Sequence, residues 1–233
     1  MLKITNVKKR FGGLHAVEDV CLSIECGKIF SLIGPNGAGK TTLFNLITGT
    51  LPVDSGTIEF LDSEITSMKP HAVCRKGIAR TYQHKNLFPN LNVFDNVCSG
   101  LLKENIEQSA RREKVEEILD FLNLSKKEKE TVSVLPPLDS KLVELGRALA
   151  TGPKLLLLDE LIGGLLPSET EKICRIIETL RERGYTVFQI GHEMRPIMRT
   201  SDWIFVLDEG RKIAEGTPEE VRKNRAVHDV YLE

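Results

Sequence analysis

Apolar and polar residues follow two periods along this chain, and the switches between them mark its elements. The start reads as β: Val20, Leu22 and Ile24 alternate with Cys21 and Ser23, a period of two. Ile29-Phe30-Ser31-Leu32-Ile33 then reads as an unbroken apolar strand ending at Gly34. A helix is predicted from Lys40 to about Thr48, with Leu43, Leu46 and Ile47 on one side. Residues 57–61 read as a strand, Pro70 as the first position of a short helix, and 78–83 as a strand running into a polar loop. In the middle, Val115, Ile118, Leu119 and Leu122 fall at i, i+3, i+4 and i+7 of a helix. Charged residues at 111–117 and 126–130 read as its wet surface. Leu142, Leu145 and Leu149 mark another helix, with Asp139 expected as its N-cap.

The last third alternates strand and helix. Residues 155–158 form an apolar strand. A capping box, Ser168-Glu169-Thr170-Glu171, opens a helix with Ile173, Ile176, Ile177 and Leu180 inward. Strands at 186–190 and 203–207, a turn at Asp208-Glu209-Gly210, a segment Lys212-Ile213-Ala214 and a short helix near Pro218 follow. This order implies an α/β fold with a mostly parallel sheet covered by helices. Within one domain spanning 1–233, residues 1–30 and 54–66 are expected as an antiparallel β subdomain. Residues 31–53 and 151–233 are expected as the core, and 84–150 as a helical subdomain.

Composition narrows the class. The 233 residues are 41% hydrophobic and 28% charged, ordinary for a globular domain that buries its core without disulfides or metals. Lys+Arg total 32 against 33 Asp+Glu, so the basic excess of a duplex-binding protein is missing and no nucleic acid partner is expected. The most apolar run, 155–158, is far short of the ~20 residues of a spanning helix. Met1-Leu2-Lys3-Ile4-Thr5-Asn6 lacks the apolar core of a signal peptide, so the expected place is cytoplasmic. Cys21, Cys26, Cys74, Cys98 and Cys174 are odd in number, have no CxxC spacing and read as isolated reduced thiols.

Two motifs carry chemistry. Gly34-Pro35-Asn36-Gly37-Ala38-Gly39-Lys40-Thr41 fits GxxxxGK[ST], with a strand before it and a helix after it. Glycines let main-chain N–H groups turn toward an anion, and the helix N-terminus adds positive partial charge. Lys40 is expected on the β- and γ-phosphates of ATP and the Thr41 hydroxyl on Mg²⁺. The second motif is the apolar strand ending in Asp159-Glu160, acids at the ligand side of a parallel sheet. Asp159 is expected to orient Mg²⁺ and Glu160 to polarise the attacking water.

With its following Thr42, the loop reads GPNGAGKTT and resembles that of ATP-binding-cassette (ABC) ATPases; the likeness extends over essentially the whole chain. It implies a P-loop NTPase core of the RecA-like kind, with ATP and Mg²⁺ as ligands. It further implies that Phe11 stacks on adenine, that Gln83 contacts Mg²⁺ and the attacking water, and that His192 holds the γ-phosphate. Gly77-Ile78-Ala79-Arg80-Thr81-Tyr82-Gln83, Asn86-Leu87-Phe88, the stretch from Lys141 to Leu149 and the C-terminal stretch resemble the ATPase subunits of branched-chain amino acid importers.

The family's LSGGQ signature is missing. Leu135-Pro136-Pro137-Leu138-Asp139 stands at its station, and no SGG occurs in the chain. Pro136 has no hydroxyl, neither proline has an N–H, and Leu138 is expected to add bulk where the main chain should approach a phosphate. Leu161 stands where proline commonly follows the catalytic Glu, and Leu166 where the D-loop often has Asp or Asn. The resemblance implies an ATP-hydrolysing subunit at the inner face of the cell membrane. It would pair with a second ABC ATPase in a heterodimer, with permease subunits and, indirectly, with a solute-binding protein. Leu87, Phe88, Leu91, Val93 and Phe94, in the region 83–102, are the expected docking surface. Two other readings stay open: an ATP-binding regulator with little turnover, and a soluble ABC ATPase unconnected to transport.

Overall fold

The computed structural model describes residues 1–82, 86–103 and 107–231. Two sheets organise them. A four-stranded antiparallel sheet, ordered β2-β1-β4-β5, is formed by β1 (Leu2–Phe11), β2 (Leu14–Ile24), β4 (Ser55–Phe60) and β5 (Ser63–Glu64). A six-stranded sheet, ordered β10-β9-β3-β8-β7-β6, is formed by β3 (Ile29–Ile33), β6 (Ile78–Arg80), β7 (Leu155–Asp159), β8 (Thr186–Ile190), β9 (Trp203–Asp208) and β10 (Arg211–Gly216). Its strands run parallel except for β10 at the edge.

The helices are α1 (Lys40–Ile47), α2 (Pro70–Lys76), α3 (Val93–Cys98), α4 (Gln108–Phe121), α5 (Pro137–Ala150), α6 (Pro167–Glu182), α7 (Met194–Thr200), α8 (Pro218–Lys223) and α9 (Arg225–Tyr231). The all-apolar β7 shows how they share the sheet. Leu155 and Leu157 enter a core with Phe44, Phe188 and Phe205 on one face, and Leu156 and Leu158 enter another with Val143 and Ile173 on the other. Both faces are covered, so the strand needs no polar residue before Asp159.

Several elements differ from expectation. β1 opens the chain but its alternation is broken by register shifts after Ile4 and Val7, with Asn6 at φ 48, so the period of two fails over the bulge. The short α3, α7 and α9 are too brief for a 3.6-residue period to repeat. α5 begins at Pro137, not behind Asp139. Proline fits the first helical position because its missing N–H has no partner there anyway. Asp139, in the first turn, pairs with Lys127 instead of capping. α6 likewise begins at Pro167; Glu169 accepts the Leu166 N–H at 2.9 Å, and Ser168 is not the cap. Ile176 is only half-buried.

Candidate nucleotide site

The anion loop is built by close packing. Gly34 and Gly39 have φ 151 and 95, and a Cβ would lie 2.1 Å from the Leu207 carbonyl oxygen at the first and 2.2 Å from that of Ala16 at the second. Any side chain at either glycine would push the loop off β9 or β2. The second contact also sets the β1–β2 hairpin, which carries Phe11, against the loop. Phe11 is 46% exposed, with the Lys9 ammonium 5.7 Å from its ring centre. Gly37 has φ 84 and open space around it, as a main chain facing a ligand requires.

Lys40 is buried and folds back over the loop, donating from Nζ to the Gly34 and Pro35 carbonyls at 2.7 Å each. Burial pulls its pKa down, opposed by Glu160 and Asp159. Thr41 is exposed and Thr42 half-buried at the start of α1.

Asp159 is almost fully buried, and its Oδ2 accepts from the Arg80 guanidinium at 2.6 Å. The same guanidinium donates to Asn45 Oδ1 at 2.7 Å and lies between the Phe44 and Tyr82 rings, 5.6 and 5.1 Å from their centres. Burial raises the Asp159 pKa, and Arg80 works against that rise. The other carboxylate oxygen, Oδ1, is buried without a hydrogen-bond partner. A buried anionic oxygen left open is costly unless a cation completes it, so this carboxylate fits a divalent ion. Arg80 was not foreseen as a site residue; its signal was its place at the end of a strand beside β7.

Glu160 follows at φ 50, its N–H donating to the Ile190 carbonyl at 3.1 Å. His192 Nδ1 lies 3.7 Å from Glu160 Oε1, on the loop after β8. Gly191, just before it, lets the Ile197 side chain of α7 approach the loop, since a Cβ there would sit 2.7 Å from Ile197 Cδ1. The fold therefore gathers Lys40, Asp159, Glu160 and His192 at the C-terminal ends of β3, β7 and β8, where parallel sheets bind ligands. Gln83 lies outside the described residues.

The segment 135–139 carries the start of α5. Pro136 and Pro137 are exposed. Leu138 is 7% exposed and packs into the helical core with Leu135, so its bulk points inward, not toward an approaching phosphate as expected. Val134 and Leu166 are 74% and 66% exposed. Of the expected docking residues, Val93 is core, and Leu87 and Phe94 pack partly against it. Phe88 and Leu91 remain exposed at 50% and 39%, with Arg147 5.6 Å from the Phe88 ring centre.

A glycine cradle at the start of a helix, a buried lysine folded over it and an acid pair at the end of β7, with β8 between it and β3, define a P-loop ATP hydrolase. The comparisons then name the branch. This chain belongs to the ATP-binding subunits of ABC transporters: the model described as ABC transporter matches residues 17–163, and that described as branched-chain amino acid ATP-binding cassette transporter matches 211–232. The chain is 36% identical to the high-affinity branched-chain amino acid transport ATP-binding protein BraF of Pseudomonas aeruginosa, covering 100% of this chain and 97% of that one. It is 34% identical to the lipopolysaccharide export system ATP-binding protein LptB of Escherichia coli, over 99% and 96% of the two chains. A nucleotide-free ATP-binding cassette from an ABC transporter superposes with TM-score 0.91 at 31% identity, covering 100% of this chain and 99% of that one. A dimeric cassette in a post-hydrolysis state bound to ADP and Pi gives 0.85 at 25% identity, over 94% and 99%. Among the described residues no helix is long and apolar enough to cross a membrane.

Proposed function

We propose that this chain powers import of branched-chain amino acids or similar small solutes, seated at the inner face of the cell membrane on permease subunits that a solute-binding protein feeds. The observation that carries the substrate class is the match of the C-terminal stretch to the branched-chain importer model, supported by the full-length likeness to BraF. In this reading the 34–41 loop, Lys40 and Thr42 bind the phosphates, and Phe11 stacks on adenine. Thr41, Gln83 and Asp159 hold Mg²⁺, which when bound neutralises phosphate charge. Glu160 polarises the attacking water and His192 steadies the γ-phosphate. Phe88 and Leu91, beside a groove lined by Tyr82, Leu87 and Arg147, receive a permease helix.

The partner ATPase is a different chain. ATP held by the 34–41 loop needs donors from the opposite subunit, and 135–139 offers neither a hydroxyl nor an N–H from either proline. A partner with an intact LSGGQ supplies them to this chain's site. The reverse site, facing 135–139, binds ATP and turns over slowly. Transport is the test. In vesicles holding the reconstituted complex, leucine-loaded binding protein should stimulate ATP hydrolysis and drive leucine inward. Stimulation by lipids leaving the membrane, with none by leucine, would replace this reading with the export role that the LptB likeness favours.

A further inference from the structure

One half-buried cation near the site is committed to main chain. Lys141, in α5, donates from Nζ to the carbonyl oxygens of Glu160 at 3.2 Å, Leu161 at 2.8 Å and Gly163 at 2.9 Å. These acceptors belong to one tight turn after β7, which also closes on itself through Gly163 N–H to the Glu160 carbonyl at 3.2 Å. Glu160 enters that turn at φ 50, a region a non-glycine keeps only when its surroundings hold it there. A charged donor shared among three carbonyls is such a surrounding. Burial lowers the Lys141 pKa against the pull of Glu144, Glu160 and Glu193, so this ammonium is drawn out of water to make the contact.

We infer that Lys141 is a positioning residue for Glu160, clamping the turn so that its carboxylate keeps one direction toward the attacking water. This rests on the reading of Glu160 as general base. Main-chain dihedrals at 160 set where the carboxylate points, and misplacement of a reacting group by about 1 Å costs about 10²-fold. The clamp also has a source of control. Three residues on, on the same face of α5, Glu144 accepts the Tyr82 N–H at 2.7 Å, next to Gln83. α5 opens at Pro137, the end that the family resemblance sets toward the opposite subunit's nucleotide. One helix thereby ties the segment presented to the opposite site to the turn that carries this chain's own base.

The test uses the full chain co-purified with the subunits it assembles with, and Glu160→Gln is measured first as the reference. Lys141→Met keeps length and loses the donors; it should lower kcat about 10- to 100-fold, leave KM for ATP within twofold and speed hydrogen exchange at residues 161–163 but not within β7. Lys141→Arg should recover most of the rate. In the Glu160→Gln background, Lys141→Met should cause no further single-turnover loss, because it acts through that carboxylate. If Lys141→Met does not fold, Lys141→Gln carries the same comparison. Unchanged kcat, or an equal loss in the Glu160→Gln background, overturns the inference. Full activity of Glu160→Gln itself would instead overturn the reading of Glu160 as base.

Discussion

The two surfaces that an ABC ATPase brings together across its dimer are unequal in this chain. The loop at 34–41, with Asp159, Glu160 and His192, has its glycine cradle, buried lysine, open carboxylate oxygen and adjacent acid–imidazole pair. The start of α5 has two exposed prolines and a leucine turned into the core. One surface keeps an open glycine loop beside buried charges; the other turns its leucine into the helical core. In the proposed pairing the two nucleotides meet this chain differently, one at the 34–41 loop and the other at the start of α5.

The contrast can be broken from its stronger side. Lys40→Ala removes the buried ammonium over the loop and should abolish nearly all the stabilisation by Mg-ATP, about 2.7 kcal/mol at a hundredfold excess over Kd. Thermal melting with and without nucleotide reads this directly, and undiminished stabilisation would show that 34–41 is not where ATP sits.

Arg80→Met tests what supports Asp159. It leaves a buried carboxylate without its pair, and removing one partner of such a pair costs about 3–5 kcal/mol. The Asp159 pKa is already raised by burial, and losing Arg80 should raise it further. A carboxyl with a folded pKa above its unfolded value holds its proton better when folded, so its penalty grows as pH rises and fades as pH falls. In metal-free buffer the variant's deficit in chemical denaturation should therefore be larger at pH 7 than at pH 5. An equal deficit at both would mean that Arg80 acts through packing between Phe44 and Tyr82.

The docking surface has the smallest expected effect on the molecule itself. Phe88→Glu should leave melting and ATP affinity close to the parent while reducing co-purification with permease subunits. Exposed substitutions usually shift stability within about 0.5 kcal/mol. Loss of folding or of ATP binding, or unchanged co-purification, would remove Phe88 from the docking surface.

What could be read beforehand follows the range of each interaction. The phosphate loop and the Asp159-Glu160 pair are local patterns, so residue order carried them, and the sheet alternation around them was equally visible. Arg80 with Asp159 and Lys141 with the 160–163 carbonyls join residues far apart in sequence, and neither is announced by a spacing. Leu138 was judged by its bulk alone, and only the helix phase set by Pro137 shows that the bulk faces inward. Val93 is core, but α3 is too short for its residue spacing to display which face is buried.

In the proposed assembly this chain supplies one complete site and an impaired signature to the other. Losing one preorganised donor to developing charge costs ~2.7–4 kcal/mol, or ~10²–10³ in rate, and Pro136 has no hydroxyl to offer. Steady-state ATP hydrolysis by the purified chain alone, then mixed with a partner ATPase bearing intact LSGGQ, measures this directly. Turnover is expected near background alone and strongly activated in the mixture, lost with Glu160→Gln in this chain but far less with the matching change in the partner. Robust hydrolysis by the chain alone, or equal losses from the two substitutions, would contradict it.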